Sequence, residues 1–462
     1  MGRLVMVSNR VMLPGGRSGR AGGLAVALRD ALRGRSGLWF GWSGEIADAA
    51  SSEPRIVQSG RIQYATLDLG ETDYEQYYNG YSNGTLWPLL HYRLGLLEFR
   101  RENLEAYLRV NEAFAAALGA LLRADDVIWI HDYHLIPLAA SLRSRGVANK
   151  IGLFLHTPFP PPAVFTTLPR YEILVNALAG YDLIAVQTEG DRGNLRDTIA
   201  QHRQADLTSA GDIDLGSRQL LVRAIPIGID APAVAEMAAS MSRGPEARRL
   251  AASLAGRQLI LGVDRLDYSK GLPQRFEAFE RLLAEYPEHR SKVTFMQIAP
   301  VSRGEVRQYR ELRRELERRS GRINGKFAEF DWMPLRYLNR SFGRHVLAGF
   351  YRHARVGLVT PLRDGMNLVA KEWVAAQDAA DPGALVLSRF AGAAYELADA
   401  ILVNPLDADA TAEALHRALT MPAEERRERW QAMMRSVGRN TVIAWRDQFL
   451  RLLEDHPAPV LA

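Results

Sequence analysis

Two stretches of this chain carry residue types suited to holding a phosphorylated ligand. TPLRDGMNLVAKE (Thr360–Glu372) closes an apolar run with an acid and a glycine turn, and a helix is expected to open around Met366 or Asn367. The first amides of a helix have no partner within it and sit at the positive end of its dipole, so they bind an anion without a Walker lysine. Glu372, about a turn further on, could accept hydrogen bonds from ribose hydroxyls or simply complement the dipole. GVDRLDYSKGLP (Gly262–Pro273) places Arg265 and Lys270 between a buried strand and a helix with Pro273 in its first turn. Two cations in such a loop suit a diphosphate whose charge grows as a sugar–phosphate bond breaks. Each cation alone would read as a solvated loop charge bridged to a surface carboxylate; beside the Asp364–Glu372 loop, the anion-binding reading is preferred.

The first half repeats the arrangement with less charge. WIHDYH (Trp129–His134) leaves polar groups just past a buried strand, and Ile151–Leu155 runs into HTPFPPP (His156–Pro162), whose four prolines oppose helix and fix an extended loop. Asp132 could hold sugar hydroxyls and His156 could touch a transferred sugar, although a single strand-end histidine is more often packed. Aromatic groups cluster at Trp39–Trp42, Tyr77-Tyr78 and Leu86–Tyr92; such rings can stack on a sugar, but on their own they read as core. Arg10 after the first strand, Gly22-Gly23 beyond the arginine-bearing Pro14–Arg20 loop, and Arg303 are further candidates for a phosphate contact, although either arginine alone reads first as a solvated surface charge. Asp212 and Asp214 match a metal-binding D-x-D, but they fall in an expected surface hairpin at 210–216. No Walker loop, H-E-x-x-H, G-x-S-x-G or EF-hand motif occurs.

The elements that must position these groups are short apolar runs alternating with helical patterns. In the first half the runs are Arg3–Ser8, Val127–Ile130, Ile151–Leu155, Asp182–Gln187 and Leu220–Ile225. In the second they are Gln258–Val263, Val293–Ile298, Arg355–Thr360, Ala384–Leu387 and Ala400–Val403. Such alternation predicts parallel sheets covered on both faces, with ligands at the carboxyl ends of the strands. The fold class is therefore α/β, with two Rossmann-like doubly wound domains. The boundary is expected in the turn-rich 226–233, which divides the chain into 1–233, 234–441 and a last helical segment, 442–462.

Composition agrees. The 462 residues exceed one compact core, and 58 basic against 53 acidic side chains leave a net charge of only +5. That balance lacks the basic face of a nucleic-acid binder. The absence of cysteine excludes disulfides, thiolate metal sites and cysteine nucleophiles. The opening Met1–Arg10 reads as a buried strand, not a secretory segment, and no uncharged stretch nears membrane-spanning length. A cytoplasmic protein is expected.

Together these words resemble the trehalose-6-phosphate synthase family of retaining glycosyltransferases with the GT-B fold. The resemblance runs from Ser8–Arg10 through Gly22-Gly23, Trp39–Gly44, Leu86–Pro88, His131–His134, Arg265–Pro273 and Gly321–Gly325 to Asp364–Glu372. It implies two domains facing across a cleft, an acceptor-binding 1–233 and a nucleotide-sugar-binding 234–441, with the 442–462 helix packing back on the first. The implied catalytic groups are Arg265, Lys270, Asp364 and His156. Implied donor contacts are Gly22, Gly23, Arg265, Lys270, Phe342, Asp364, Gly365, Met366, Asn367, Leu368, Val369, Ala370, Lys371 and Glu372. Arg10, Tyr78, Trp87, Asp132 and Arg303 are implied at an acceptor glucose-6-phosphate, with Trp87 and Thr157 setting anomer selectivity. Thr157 stands where the family often has an aliphatic residue, and Tyr395 where it commonly has a different polar one.

The implied reaction moves glucose from UDP-glucose to glucose-6-phosphate. UDP-glucose is a co-substrate, no metal or other cofactor is expected, and the implied assembly is a homo-oligomer, dimer or tetramer. A separate trehalose-6-phosphate phosphatase is expected downstream. UDP against GDP or ADP stays open. So do a sister transferase with another acceptor, such as a glucosylglycerol-phosphate synthase or a pseudo-glycosyltransferase, and a catalytically silent sugar-phosphate sensor.

Overall fold

A computed structural model describes residues 2–14, 23–32, 34–48, 52–216, 218–302 and 306–456, with side chains from residue 27 in the segment opening at 23. By its contacts the chain forms two compact units. Among the described residues unit 1 comprises those up to 14, Leu24–Pro226 and the stretch from Ile443, and unit 2 comprises Gly23 and Ile227–Val442.

Among the described residues unit 1 is built on nine strands: β1 (Leu4–Arg10), β2 (Gly37–Ala47), β3 (Arg55–Ser59), β4 (Ile62–Gly70), β5 (Val127–His131), β6 (Lys150–Phe154), β7 (Leu183–Val186), β8 (Ile213–Asp214) and β9 (Gln219–Ala224). They lie in the order β3-β4-β2-β1-β5-β6-β7-β9-β8, parallel except for the antiparallel pairs β3–β4 and β8–β9. Strand β5 is buried throughout, as expected of a strand covered on both faces. The order turns from descending to ascending between β1 and β5, which opens a crevice at their carboxyl ends. Val442–Asp455 forms the last helix, and its residues from Ile443 belong to unit 1. Its Phe449 stacks on Trp129 with centroids 4.7 Å apart, and Trp445 lies 4.7 Å from Trp129 and 5.0 Å from Phe154.

Unit 2 holds β10 (Gln258–Val263), β11 (Val293–Ile298), β12 (Leu335–Leu338), β13 (Val356–Val359), β14 (Ala384–Ser388) and β15 (Ile401–Val403). All six are parallel in the order β12-β11-β10-β13-β14-β15, the dinucleotide-fold order with its switch point between β10 and β13.

The ten expected apolar runs all contain strands, within a residue or two at their ends. Five strands lie outside them. β2 carries Trp39–Trp42, taken above as an aromatic cluster; Gly41 and Gly44 interrupt its apolar pattern, although its first six residues are buried. β4 and the edge strands β3 and β12 mix polar with apolar groups, and β8 forms the expected hairpin with β9. The contact boundary falls at Pro226/Ile227, ahead of 233, because the Asp230-capped helix Ala231–Met241 packs on unit 2 helices Arg344–His353 and Leu368–Ala376. The proline loop gives way at Pro162 to the one-turn helix Pro162–Phe165, since proline is compatible with a first helical position.

Trp445 is 2% exposed and fills space between β5 and β6. Trp445→Ala is expected to destabilise unit 1 by about 3–5 kcal/mol, the cost of emptying a large aromatic site. Urea unfolding followed by a probe in unit 1 measures this; a loss under about 1 kcal/mol would mean the helix packs only loosely.

Candidate active site

In unit 2 the candidate residues meet at the switch point. The loop after β10 begins with Asp264, whose carboxylate pairs at 2.6 Å with the guanidinium of Arg275 from the helix Leu272–Glu285; Arg275 is wholly buried. Arg275 also donates to the Thr360 hydroxyl (2.9 Å), the Gln297 side-chain oxygen (3.2 Å) and the Lys270 carbonyl (3.2 Å). One cation thus ties together the carboxyl ends of β10, β11 and β13. Gly271, at φ +66°, lies against the loop after β13, and a Cβ there would overlap the Thr360 carbonyl oxygen. Leu362 N–H donates to the Ser269 carbonyl (2.8 Å), which joins the two loops directly.

Lys270, in the single turn Tyr268–Lys270, donates from Nζ to Asp364 Oδ2 at 2.5 Å, and Asn367 Nδ2 donates to the same oxygen at 2.9 Å. Arg265 is more open, its side chain 42% exposed and its guanidinium 3.6 Å from Asp267 Oδ2. Asp267 is fixed by accepting from the Ser269 amide and hydroxyl, each at 3.0 Å. Arg265 therefore has room to turn toward an anion, whereas Lys270 is already oriented.

The helix expected near Met366 or Asn367 spans Leu368–Ala376, with Asn367 as its cap in the left-handed region (φ +79°). Asn367 Oδ1 accepts from Ala370 N–H at 3.1 Å, and helix geometry leaves the Leu368 and Val369 amides with no carbonyl four residues behind them. Gly365 and Met366 lie beneath this cap, where a Cβ on Gly392 would overlap the Gly365 carbonyl. Glu372 pairs with Arg344 at 3.4 Å; burial pushes its carboxyl above the usual range, and Arg344 partly offsets this. Phe342 precedes the Arg344–His353 helix, edge-on to Phe350 at 5.5 Å and beneath the Arg340 guanidinium at 4.6 Å.

Lys371 is placed differently from its neighbours. Its ammonium lies on the inner face of the helix, wholly buried, and donates to the Ile227 carbonyl (2.7 Å) and Glu396 (2.6 Å). Burial lowers its pKa, an effect Glu396 opposes. The side chain anchors the helix and is no part of the cluster around Asp364.

In unit 1 the candidates flank the β1/β5 switch point and the end of β6. Arg10 ends β1 with its guanidinium 5.7 Å from the Trp42 ring centroid. Tyr78 lies on a thirteen-residue π-helix, Tyr74–Leu86, far longer than the single turns in which this geometry usually occurs. It stacks on Tyr74 (5.6 Å) and on the His134 ring (5.9 Å, 13° between planes), with Trp42 at 5.6 Å. Trp87 follows the π-helix, buried, 3.9 Å from the His91 ring and 5.7 Å from Tyr133.

Asp132 adopts φ +75°, a costly conformation for a residue with a Cβ. There Oδ1 accepts from the His156 amide at 3.2 Å. His156 Nε2 lies 3.2 Å from His131 Nδ1, and Trp445 packs about 6 Å from both rings. Burial lowers the pKa of His156 to about 3 and that of His131 well below its ordinary value. Thr157 is 4% exposed, and its hydroxyl has no hydrogen-bond partner among the described residues.

Gly22 and Arg303 lie outside the described residues, and Gly23 opens the Gly23–Ala31 helix. Asp212 forms an ion pair with Arg223 (2.9 Å from Nη2 to Oδ2), and Asp214 accepts from the Gly216 amide at 2.8 Å. Both carboxylates of the D-x-D stretch thus serve their own hairpin. Sequence reasoning missed Asp264, Asp267, Arg275, Arg344 and His131. The available signal was an acid directly after each of two buried strands, Asp264 and Asp132, and an arginine in a helix first turn.

The glycosyltransferase family 20 model matches residues 15–455. A trehalose-6-phosphate synthase of Citrobacter koseri is 49% identical over 455 residues, covering 98% of this chain and 96% of the relative. A UDP-forming α,α-trehalose-phosphate synthase of Burkholderia xenovorans, solved in complex with glucose-6-phosphate, superposes with a TM-score of 0.94 at 50% identity, covering 98% of this chain and all of that one. The Escherichia coli structure solved with UDP-2-fluoro glucose gives 0.94 at 47% identity, covering 99% and 100%.

The His131–His156 pair gives stability a defined pH dependence. An unfolded histidine binds its proton near 6.5, whereas folded His156 does so only near 3. Between these values the unfolded chain holds more protons, so stability is full above about pH 6.5 and falls as pH drops toward 3. The limiting slope is about 1.4 kcal/mol per pH unit for each such histidine. Urea midpoints from pH 7.5 to 4.5 should show the decline, flattened in His156→Asn; equal slopes in the two proteins would place the proton uptake elsewhere.

Proposed function

The chain belongs to glycosyltransferase family 20 and has its GT-B fold, and from that premise we propose that it transfers glucose from UDP-glucose to glucose-6-phosphate with retention, forming α,α-trehalose-6-phosphate and UDP. The observation that carries this reading is the convergence of Arg265, Lys270, Asp364 and the opening of the Leu368–Ala376 helix at one switch point. This is the charge distribution that a departing nucleoside diphosphate requires.

In this reading the Leu368 and Val369 amides and Arg265 bind the diphosphate, and Glu372 accepts from the ribose hydroxyls. Ligand binding draws Lys270 from Asp364 onto the leaving oxygen and frees the carboxylate for the donor glucose. Gly22, Gly23 and Phe342 complete the donor contacts, with Gly365, Met366, Asn367 and Ala370 shaping the turn and cap. Arg10 from the first unit and Arg303 from the second take the acceptor phosphate, while Tyr78, Trp87 and Asp132 hold its ring. His156, neutral at working pH, bonds to the transferred glucose.

The bond from the anomeric carbon to the β-phosphate oxygen breaks as a new one forms to the acceptor's anomeric oxygen. The acceptor proton passes to the departing phosphate oxygen on the same face, so no carboxylate nucleophile is required. Arg265 and Lys270 carry the growing charge that a divalent ion carries elsewhere, and we assign no metal to the reaction. Among the described residues no helix is long and apolar enough to cross a membrane. A cytoplasmic homo-oligomer acting ahead of a separate phosphatase completes the proposal.

Incubation with UDP-glucose and glucose-6-phosphate should release UDP and give a non-reducing disaccharide phosphate with two α-anomeric proton signals. Turnover on glycerol-3-phosphate instead would reassign the acceptor. EDTA treatment followed by dialysis should leave the rate unchanged, and a loss restored by magnesium would contradict the metal-free assignment. Arg265→Ala should lower kcat by about 100- to 1,000-fold; a near-normal kcat would remove Arg265 from the mechanism. Thr157 faces a simpler test. If its hydroxyl bonds to the acceptor, Thr157→Val should raise the glucose-6-phosphate KM about tenfold and leave the UDP-glucose KM unchanged.

A further inference from the structure

We propose that Glu288, His289 and His416 form a binding site for one divalent late-transition-metal ion, zinc by its fit to a set of two imidazoles and one carboxylate. The ligand atoms come from two elements of unit 2. Glu288 and His289 lie on the turn Pro287–His289, which follows the helix Leu272–Glu285, and His416 lies on the helix Ala408–Thr420. Those two helices pack against each other. His289 Nε2 and His416 Nδ1 approach to 2.9 Å, Glu288 Oε1 is 3.6 Å from His416 Nδ1, and all three lie within 4.8 Å of one another.

Two imidazole nitrogens aimed at each other share a single proton, donated by one ring and accepted by the other. A metal replaces that proton and uses both lone pairs. Tetrahedral zinc with bonds of about 2.0–2.1 Å needs its ligand atoms about 3.3 Å apart, so the rings have to separate by only about 0.4 Å. The approach is partly prepared. His289 is buried, and the Tyr286 ring stacks on His416 at 4.2 Å with 17° between planes, which fixes that imidazole. Glu285, Glu288 and Glu413 surround Tyr286 with negative charge, opposed on the His289 side by Lys292. The Glu288 side chain is 51% exposed and leaves an open side for entry and for a water as fourth ligand.

Position decides the role. His289 lies just before β11, at the amino ends of the parallel strands, whereas Asp264–Lys270 and Thr360–Asn367 follow the carboxyl ends of β10 and β13. The ion would therefore clip the end of one surface helix to its neighbour and take no part in chemistry at the switch point.

The test uses the full-length chain, stripped with EDTA and dialysed, then titrated with zinc by calorimetry while its melting temperature is followed. Zinc should bind in one tight equivalent and raise the melting temperature, because it favours the folded state alone. Cobalt in its place should show the visible absorption of a four-coordinate ion. His416→Ala, at a partly exposed position, should remove that equivalent and the absorption band. Glu288→Gln should weaken binding by about 10- to 100-fold while leaving the metal-free melting temperature unchanged. Other imidazoles bind zinc weakly, so the difference from His416→Ala is the deciding quantity. Equal zinc binding by the two proteins, or a wild-type melting temperature indifferent to zinc, would overturn the proposal and leave an ordinary hydrogen-bonded histidine pair.

Discussion

A guanidinium shut away from water sets the terms for unit 2. Arg275 cannot lose its proton, so each donor it carries needs an acceptor, and these come from Asp264, Thr360, Gln297 and the Lys270 backbone. A buried pair of this kind contributes little net stability, but removing one partner costs about 3–5 kcal/mol because the other is stranded. The result is positional. Three strand ends and the Lys270 turn are held in one register, and Lys270 and Asp364 can meet only because that register exists. Gly271 belongs to the same constraint, since only a residue without a side chain lets the turn lie against Thr360.

Unit 1 solves the corresponding problem with less charge and more strain. Asp132 departs from the favoured backbone region so that its carboxylate meets the His156 amide. The two histidines beside it are kept neutral by burial. Around them the π-helix turns Tyr74 and Tyr78 toward Trp42 and His134, while Tyr77 donates to Asn9 at 2.6 Å. Such an aromatic face beside His134 can contact a sugar ring without adding charge of its own. Unit 2, with its exposed Arg265 and capped helix opening, suits the charged partner.

Much of this was legible in the sequence, for identifiable reasons. The ten strands of those runs announced themselves because most are buried on both faces, which demands unbroken apolar runs. Arg265, Lys270 and Asp364 stood out because cations and an acid after such runs have no packing role there. β2 and β4 were missed because glycines and half-exposed positions break their patterns. The π-helix was missed because nothing in YEQYYNGYSNGTL distinguishes a wide helix from a loop rich in tyrosine and asparagine. Arg275 and Lys371 mark the limit most clearly. A charged residue on an amphipathic helix is normally solvated, and only the tertiary structure shows that one is a buried hub and the other an anchor.

The return of the last helix to unit 1 also bears on how the protein is made. Trp129 and Phe154 leave the ribosome early, but Trp445 and Phe449, which cover them, come only after all of unit 2. At ordinary elongation rates the wait is on the order of 15–60 s. Throughout it, the nascent first half carries an uncovered apolar strip beside His131 and His156, a ready target for chaperones or for another chain. Unit 2, whose strands and helices are contiguous, has no such wait. The second half of this enzyme is therefore free to finish folding before the first, against the order in which they are synthesised.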